Sequence, residues 1–248
     1  MDLSPTPAGW DYAAALEQVK ARVHIAEAHA GRAGSGVRVL VATKTWDADA
    51  AAGVVRAGGI LVGESRMQEL DVKGEALAAA GAHVHVIGQL QRNKAATAVR
   101  FAECVQTVDH ARLAERLSRL CLEAEREMDV MIQVNVSGEE SKAGVHPDEA
   151  LAIASAVQAL PALTVTGFMT IGLNSRDEDE VRAGYARLRE LRDQALIRSE
   201  RGSVGLGSAW HLSMGMSQDL EWAIAEGATI VRVGTAIMGP RPAAAPAG

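Results

Sequence analysis

The segment Val37-Arg38-Val39-Leu40-Val41-Ala42-Thr43-Lys44 decides the fold of this chain. Its apolar run predicts a buried β-strand that ends beside Lys44. Side chains alternate between the two faces of a strand, so Lys44 shares a face with Ala42 and Leu40. We therefore expect the first strand to carry a lysine from the apolar core to the strand end.

Further apolar runs follow this strand and are separated by amphipathic helical stretches. The predicted strands are residues 37–43, 59–62, 83–87, 104–108, 130–136, 163–169, 210–213 and 229–233, with helices that include 109–127, 147–159 and 178–195. This alternation predicts an α/β fold with a parallel sheet. Eight such units and a length of 248 residues favour a closed (β/α)8 TIM barrel, typically about 250 residues long. A doubly wound open sheet is the alternative, but residues 43–46 lack its glycine-rich dinucleotide turn.

One helix precedes the first strand, and its apolar residues recur at helical spacing. They are Tyr12, Leu16, Val19, Val23 and Ala26. The glycine-rich residues 31–36 link this helix to the strand. We expect one domain over residues 9–240, consisting of the barrel and its leading helix. The proline- and alanine-rich tail, residues 241–248, is predicted to be disordered.

Composition narrows the class of protein. The net charge of −6 does not favour binding to nucleic acid or to an anionic membrane. No apolar stretch is long enough to cross a bilayer and no signal peptide is visible, so we expect a cytoplasmic protein. Cys104 and Cys121 are predicted to be buried core residues rather than a disulfide framework. His83 and His85 share a strand face, but no third ligand is evident, so no metal site is predicted.

Lys44 and the C-terminal part of the chain carry the chemistry that stands out. A lysine on the apolar side of a strand end is partly desolvated, which favours the neutral amine that attacks a carbonyl. A Schiff-base lysine for an aldehyde cofactor needs that property. The alternative is a lysine whose stem packs on the core while its charge reaches solvent.

Residues 213–219 could supply an anion site, with Ser217 predicted as the N-cap of a helix running to Glu226. An ordinary capped helix is the alternative there.

The last predicted strand ends at Gly234 and Thr235, whose backbone and hydroxyl are good phosphate donors. Barrel enzymes frequently bind phosphate with the loops after strands seven and eight. In a closed barrel, strand eight lies next to the first strand and therefore near Lys44. Arg232 shares a strand face with Gly234 and is predicted to point at the same ligand, a structural salt bridge being the alternative.

The ordered set of motifs along nearly the whole chain resembles the pyridoxal 5′-phosphate (PLP) homeostasis proteins. The motifs are VATKT at 41–45, VGES at 62–65 with QE at 68–69, HVIGQLQRNK at 85–94, QVNV at 133–136, SKAG at 141–144, LSMGMSQD at 212–219 and VRVGTAI at 231–237. Ser65 departs from the family pattern, which has asparagine there, and Gln89 and Arg92 also depart from it. These changes alter loop shape more than they alter the lysine or phosphate positions.

The resemblance implies a fold-type-III PLP barrel like that of alanine racemase, without the second β-domain. It implies PLP held as an internal aldimine on Lys44, with Arg232 facing the pyridine nitrogen and Ser217, Gly234 and Thr235 at the phosphate. Ser213 and Met216, inside a matched motif, complete the expected cofactor-binding set, and no residue is assigned as catalytic. Lys142 falls where a second basic residue near the cofactor is expected, or is a solvated loop lysine.

Two functions compete. The first is PLP homeostasis, in which the protein buffers the cofactor or delivers it to PLP-dependent apo-enzymes, without a dedicated substrate reaction. The second is a fold-type-III enzyme such as an amino-acid racemase, which needs a base on each face of the substrate Cα. Tyr12 and Tyr185 lack an obvious route to that position, and Arg232 disfavours carbanion chemistry. We therefore expect a monomeric, non-catalytic carrier. A barrel that binds a phosphorylated sugar would leave Lys44 unexplained.

Overall fold

Eight parallel strands close into a barrel in sequence order in the computed structural model, which describes residues 3–139, 142–202 and 205–240. The strands are β1 (Arg38–Ala42), β2 (Leu61–Glu64), β3 (His83–Val86), β4 (Cys104–Val108), β5 (Met128–Gln133), β6 (Leu163–Met169), β7 (His211–Met216) and β8 (Ile230–Val233). The predicted TIM barrel is confirmed, and the open-sheet alternative is wrong. The predicted tail at 241–248 lies outside the described residues.

Helices surround the barrel. They are α1 (Tyr12–His29), α2 (Ala48–Arg56), α3 (Met67–Ala79), α4 (Ala95–Phe101), α5 (Ala111–Glu123), α6 (Pro147–Gln158), α7 (Glu178–Glu200), α8 (Leu220–Ala225) and α9 (Thr235–Met238), with a 3-10 turn at Arg92–Lys94. The apolar face predicted for α1 is buried against the barrel, and both cysteines are buried and free. Within the part of the chain that the structure describes, no helix combines the length and the apolar character needed to span a bilayer.

Some strand ends differ from the prediction because glycines set them. β2 begins at Leu61 and not at the predicted residue 59. The reason is that Gly58 takes φ +101° and the Gly59 amide donates to the carbonyl of Val54 at 2.9 Å. Both glycines therefore complete the end of α2. β7 extends to Met216, because Gly215 at φ +87° lets the strand continue through an irregular register with β8.

The seam of the barrel lies between β1 and β8, where Val41 pairs with Val233 and Leu40 with Arg232. Two apolar clusters fill parts of the interior, Leu40, Leu61 and Ile230 with Ile87 against them, and Cys104, Met131 and Met169. The main core lies between the outer face of the sheet and the layer of helices that surrounds it. The seam therefore places the ends of the first and last strands next to each other.

Candidate functional site

A cavity of about 680 Å³ opens at the carboxyl ends of the strands. The predicted site residues that line it are Lys44, Met216, Ser217, Arg232, Gly234 and Thr235. Ser213 does not line the cavity, but its hydroxyl accepts from the Arg232 guanidinium at 3.0 Å. All seven predicted residues are thus brought to one end of the barrel, the end that carries active sites in this fold.

Lys44 lies in a turn directly after β1, on the face of Ala42, which also lines the cavity. The side chain is exposed rather than partly desolvated. The expectation of desolvation was therefore wrong, because the cavity is open to solvent where Lys44 enters it. The amine is accessible to a molecule that enters from that side.

Gly234 and Thr235 leave β8 beside the end of β1. A Cβ on Gly234 would lie 3.6 Å from the Cβ of Ala42, two residues before Lys44. Thr235 begins α9, and the first amides of a helix have no carbonyl partner inside it. The exposed Thr235 side chain adds a hydroxyl to these amides. This corner of the cavity is chemically suited to an anion close to an amine.

The loop between β7 and α8 is built differently from the prediction. The helix begins at Leu220 with Asp219 in the N-cap position, so the prediction of Ser217 as N-cap was wrong. The Asp219 carboxylate instead accepts from the Met216 amide at 2.6 Å, which turns the chain before the helix starts. Ser217 is thereby left free of the capping role and lines the cavity.

Arg232 is 7% exposed and points along the barrel interior into the cavity. Its guanidinium donates to the carbonyls of Ser213 at 2.8 Å and Thr170 at 2.7 Å. Among the described residues its hydrogen-bond partners are these carbonyls and the Ser213 hydroxyl, and no carboxylate lies within ion-pair distance, so the alternative of a structural salt bridge is wrong. Burial lowers the pKa of Arg232. An arginine keeps its charge even so, and this one is fixed by oxygen atoms on one side.

Other lining residues come from loops outside the predicted site. Residues 174–176, after β6, lie at the cavity, just before the helix predicted from residue 178. Their position after a barrel strand was the signal that could have identified them. Trp46 and Trp222 also line the cavity, and so does Ser65, the residue at which the chain departs from the family pattern.

Five residues considered from the sequence do not line the cavity: Lys142, His83, His85, Tyr12 and Tyr185. Lys142 is not among the lining residues, and its ammonium pairs with Glu139 at 2.7 Å. His83 pairs with Glu103, while His85 contacts Gln106, and no metal-binding cluster is found in the described ranges. The Tyr12 hydroxyl contacts Thr6 and the Tyr185 hydroxyl donates to Asp219. Neither tyrosine lines the cavity.

Comparison with known proteins places this geometry in a family. Residues 14–242 match the N-terminal domain of alanine racemase. The pyridoxal phosphate homeostasis protein of Pseudomonas aeruginosa is 39% identical, covering 94% of this chain and 96% of that protein. The Aquifex aeolicus protein of the same name is 37% identical, covering 91% and 96%. PipY of Synechococcus elongatus, solved with PLP bound, superposes with a TM-score of 0.77 at 28% identity, covering 92% and 100%. The chain therefore belongs to the family of pyridoxal phosphate homeostasis proteins, which is built on the alanine racemase N-terminal barrel.

Proposed function

We propose that this chain binds PLP in the cavity at the carboxyl ends of the strands and acts in PLP homeostasis. The observation that carries the proposal is the convergence of three groups. Lys44 supplies an amine, the Gly234–Thr235 corner supplies phosphate donors, and Arg232 supplies a buried cation. The names of the curated relatives and the PLP bound to PipY support the same assignment.

The donor set fits PLP group by group. When bound, PLP supplies an aldehyde that condenses with a primary amine and releases water. Lys44 is a primary amine in the cavity, while Ser217 and Thr235 offer hydroxyls to a phosphate. The volume of about 680 Å³ lies within the usual range for a small-molecule pocket. Met216 would contribute to PLP binding from the edge of the cavity. Ser213 would contribute indirectly, through its hydrogen bonds with Arg232.

Arg232 argues for a carrier rather than an enzyme. A permanent cation that faces a pyridine nitrogen keeps this nitrogen unprotonated, and an unprotonated ring is a weak electron sink. Neither tyrosine lines the cavity, and their hydroxyls are engaged by Thr6 and by Asp219, the latter a residue of the cavity wall. The racemase alternative is favoured by the match to the alanine racemase domain. We propose that the chain has no dedicated substrate reaction.

The visible absorbance of the purified protein with added PLP tests the assignment. We expect a visible band that borohydride removes, and peptide mass spectrometry should then find the reduced label on Lys44. A label on another lysine would place the aldehyde elsewhere, and absence of any band would favour a phosphate-binding barrel that takes no PLP.

Solvent deuterium exchange at the Cα of L- and D-alanine tests the carrier proposal. We expect exchange far below the ordinary enzyme range of about 1–1000 per second. Turnover within that range would establish the racemase alternative instead.

We further propose that residues 9–240 form one folding unit that works as a cytoplasmic monomer. PLP-dependent apo-enzymes are the proposed recipients of the cofactor. Mixing the loaded protein with an apo-aminotransferase, in the presence of a phosphatase that destroys free PLP, would detect delivery as regained activity. Light scattering on the eluted protein would give its mass, and a dimer mass would contradict the monomer.

A further inference from the structure

The backbone next to Lys44 has an unusual conformation. Thr45 takes φ +71°, in the left-handed region that β-branched residues rarely adopt. Its hydroxyl is buried without a hydrogen-bond partner among the described residues. The side chain of Thr45 therefore does nothing visible to support this strained conformation. Other groups must hold it.

Three charged side chains hold the residues on both sides of Lys44. Lys73 donates to the Thr43 carbonyl at 3.0 Å, and the Thr43 hydroxyl donates to Glu64 at 2.6 Å. The Thr45 amide donates to Glu69 at 2.6 Å. Lys73 pairs with Glu64 at 2.7 Å and lies 3.6 Å from Glu69. We call Glu64, Glu69 and Lys73 the buried triad.

The buried triad is costly for the fold to keep. The side chains of Glu64 and Lys73 are 0% exposed and that of Glu69 is 1% exposed. One oxygen of Glu64 has no hydrogen-bond partner in the described part of the chain. Buried ion pairs are frequently no more stable than apolar residues of the same size, so stability alone does not explain them. Their contacts with residues 43 and 45 give a reason of another kind.

The triad acts at a distance from the cavity. Glu64, Glu69 and Lys73 are not among the lining residues. They lie where β2 and α3 pack together, on the face of the sheet opposite to Lys44. Whatever they do for the site must therefore pass through the backbone of residues 43–45.

We propose that Glu64, Glu69 and Lys73 are positioning residues, which hold the strained turn at Thr45 so that the Lys44 amine meets the carbonyl of the ligand. This inference rests on the proposed function, in which Lys44 is the amine that bonds to PLP. It goes beyond that function, because it assigns a role to residues that do not touch the ligand.

Two ligands separate positioning from general support of the fold. PLP needs the Lys44 amine, whereas pyridoxamine 5′-phosphate has the same ring and phosphate but no aldehyde. In Glu69→Gln and Lys73→Met, we expect the rate of borohydride-trapped labelling of Lys44 by PLP to fall about ten- to a hundredfold. The dissociation constant for pyridoxamine 5′-phosphate should change less than about twofold. Glu75→Gln is the matched control, since Glu75 lies exposed on the same helix and pairs with Arg100.

A second variant tests the strain itself. Glycine adopts positive φ without steric cost, and Thr45→Gly removes a hydroxyl that has no hydrogen-bond partner within the described ranges. Adding Thr45→Gly to Glu69→Gln should therefore recover part of the lost labelling rate. The neutral amide of Glu69→Gln accepts a weaker hydrogen bond from the Thr45 amide than the carboxylate does, while it keeps the size of the side chain. The single and double variants at Glu69 therefore remain informative if Lys73→Met does not fold.

The outcomes are distinct. Equal losses for PLP and pyridoxamine 5′-phosphate, unchanged labelling in every variant, or no recovery in the double variant would each overturn the positioning role. A parent protein that is never labelled at Lys44 would instead overturn the proposed function.

Discussion

The Arg22 guanidinium donates to the backbone carbonyl of Ser217 at 2.8 Å, joining the leading helix to the cavity loop. The same guanidinium binds the carboxylate of Glu221 through Nε and through Nη2, the latter at 2.7 Å. Arg22 thus holds both the loop and the first turn of α8. The leading helix is part of the site's support and not only a cover for the barrel.

Replacing Arg22 should loosen the loop that contains Ser217. In Arg22→Ala we expect the PLP dissociation constant to rise about two- to fivefold and stability to fall by about 0.5–1 kcal/mol, since the pair is half exposed. Titration with PLP and urea unfolding measure the two effects. Lys20→Ala is the control, because Lys20 lies on the same helix and pairs with exposed Glu17. Equal effects in both variants would contradict the role of Arg22.

Acid should weaken the same contact. The hydrogen bonds from Arg22 lower the pKa of the Glu221 carboxyl below its ordinary value, against a smaller effect of burial. A carboxyl whose folded-state pKa is lowered contributes stability that is fully present above its unfolded value, about 4.3, and is lost as pH falls through the folded value. The Tm difference between the parent and Glu221→Gln should stay constant from pH 7 to 5 and shrink towards pH 3. A difference that grows with acid would have the wrong sign.

Thr235 should matter for the phosphate and not for the fold. We expect Thr235→Ala to weaken PLP binding by roughly 1–3 kcal/mol through the lost hydrogen bond, with an unchanged Tm. Thr235→Ser, which keeps the hydroxyl, should bind nearly as the parent does. Equal affinity of the alanine variant and the parent would reject the proposed contact.

Lys44 should be required for the visible band but not for folding. Lys44→Ala is expected to lose the band with PLP while its far-UV circular dichroism and Tm remain those of the parent, because the side chain is exposed in an open cavity. Lys142→Ala is the control, since that lysine does not line the cavity. A band that persists in Lys44→Ala would assign the amine to another residue.

Tyr185 should stabilise the loop between β7 and α8 through its hydrogen bond with Asp219. Its hydroxyl donates to Asp219 at 2.8 Å, and burial raises its pKa. Tyr185→Phe leaves the carboxylate without this donor, so we expect a loss of about 1–3 kcal/mol in the free energy of unfolding. Tyr12→Phe, which loses the contact with the Thr6 hydroxyl, should cost less. A reversed order would show that Asp219 does not depend on the phenol.

Periodicity and spacing predicted the barrel because each βα unit carries its own apolar signal. The approach of Lys44 to Gly234 and Thr235 also followed from the sequence, since closure of eight strands makes the first and last neighbours. The ends of the strands were harder to predict from the sequence. Gly58 and Gly215 adopt positive φ for opposite purposes, one ending a helix and the other continuing a strand.

Contacts between distant elements account for what the sequence did not reveal. Ser217 and Asp219 are both good capping residues, and the choice between them depends on the Met216 amide and on Arg22 from the leading helix. The buried triad joins charges that look like solvated residues when each is read along its own element. Glu69 and Lys73 are four residues apart on α3, which is a local pattern, but the pairing of Lys73 with Glu64 on β2 has none.

The order in which the cavity is built along the chain has a consequence for biosynthesis. Its described lining residues come from 42–87 and from 171–235, with none from β4 or β5. A chain emerging from the ribosome therefore carries Lys44 long before Gly234 and Thr235 have been synthesised. PLP finds no complete binding site until translation has passed Thr235. Capture of the cofactor would thus require both stretches, and fragments cut between them would each carry half of the pocket.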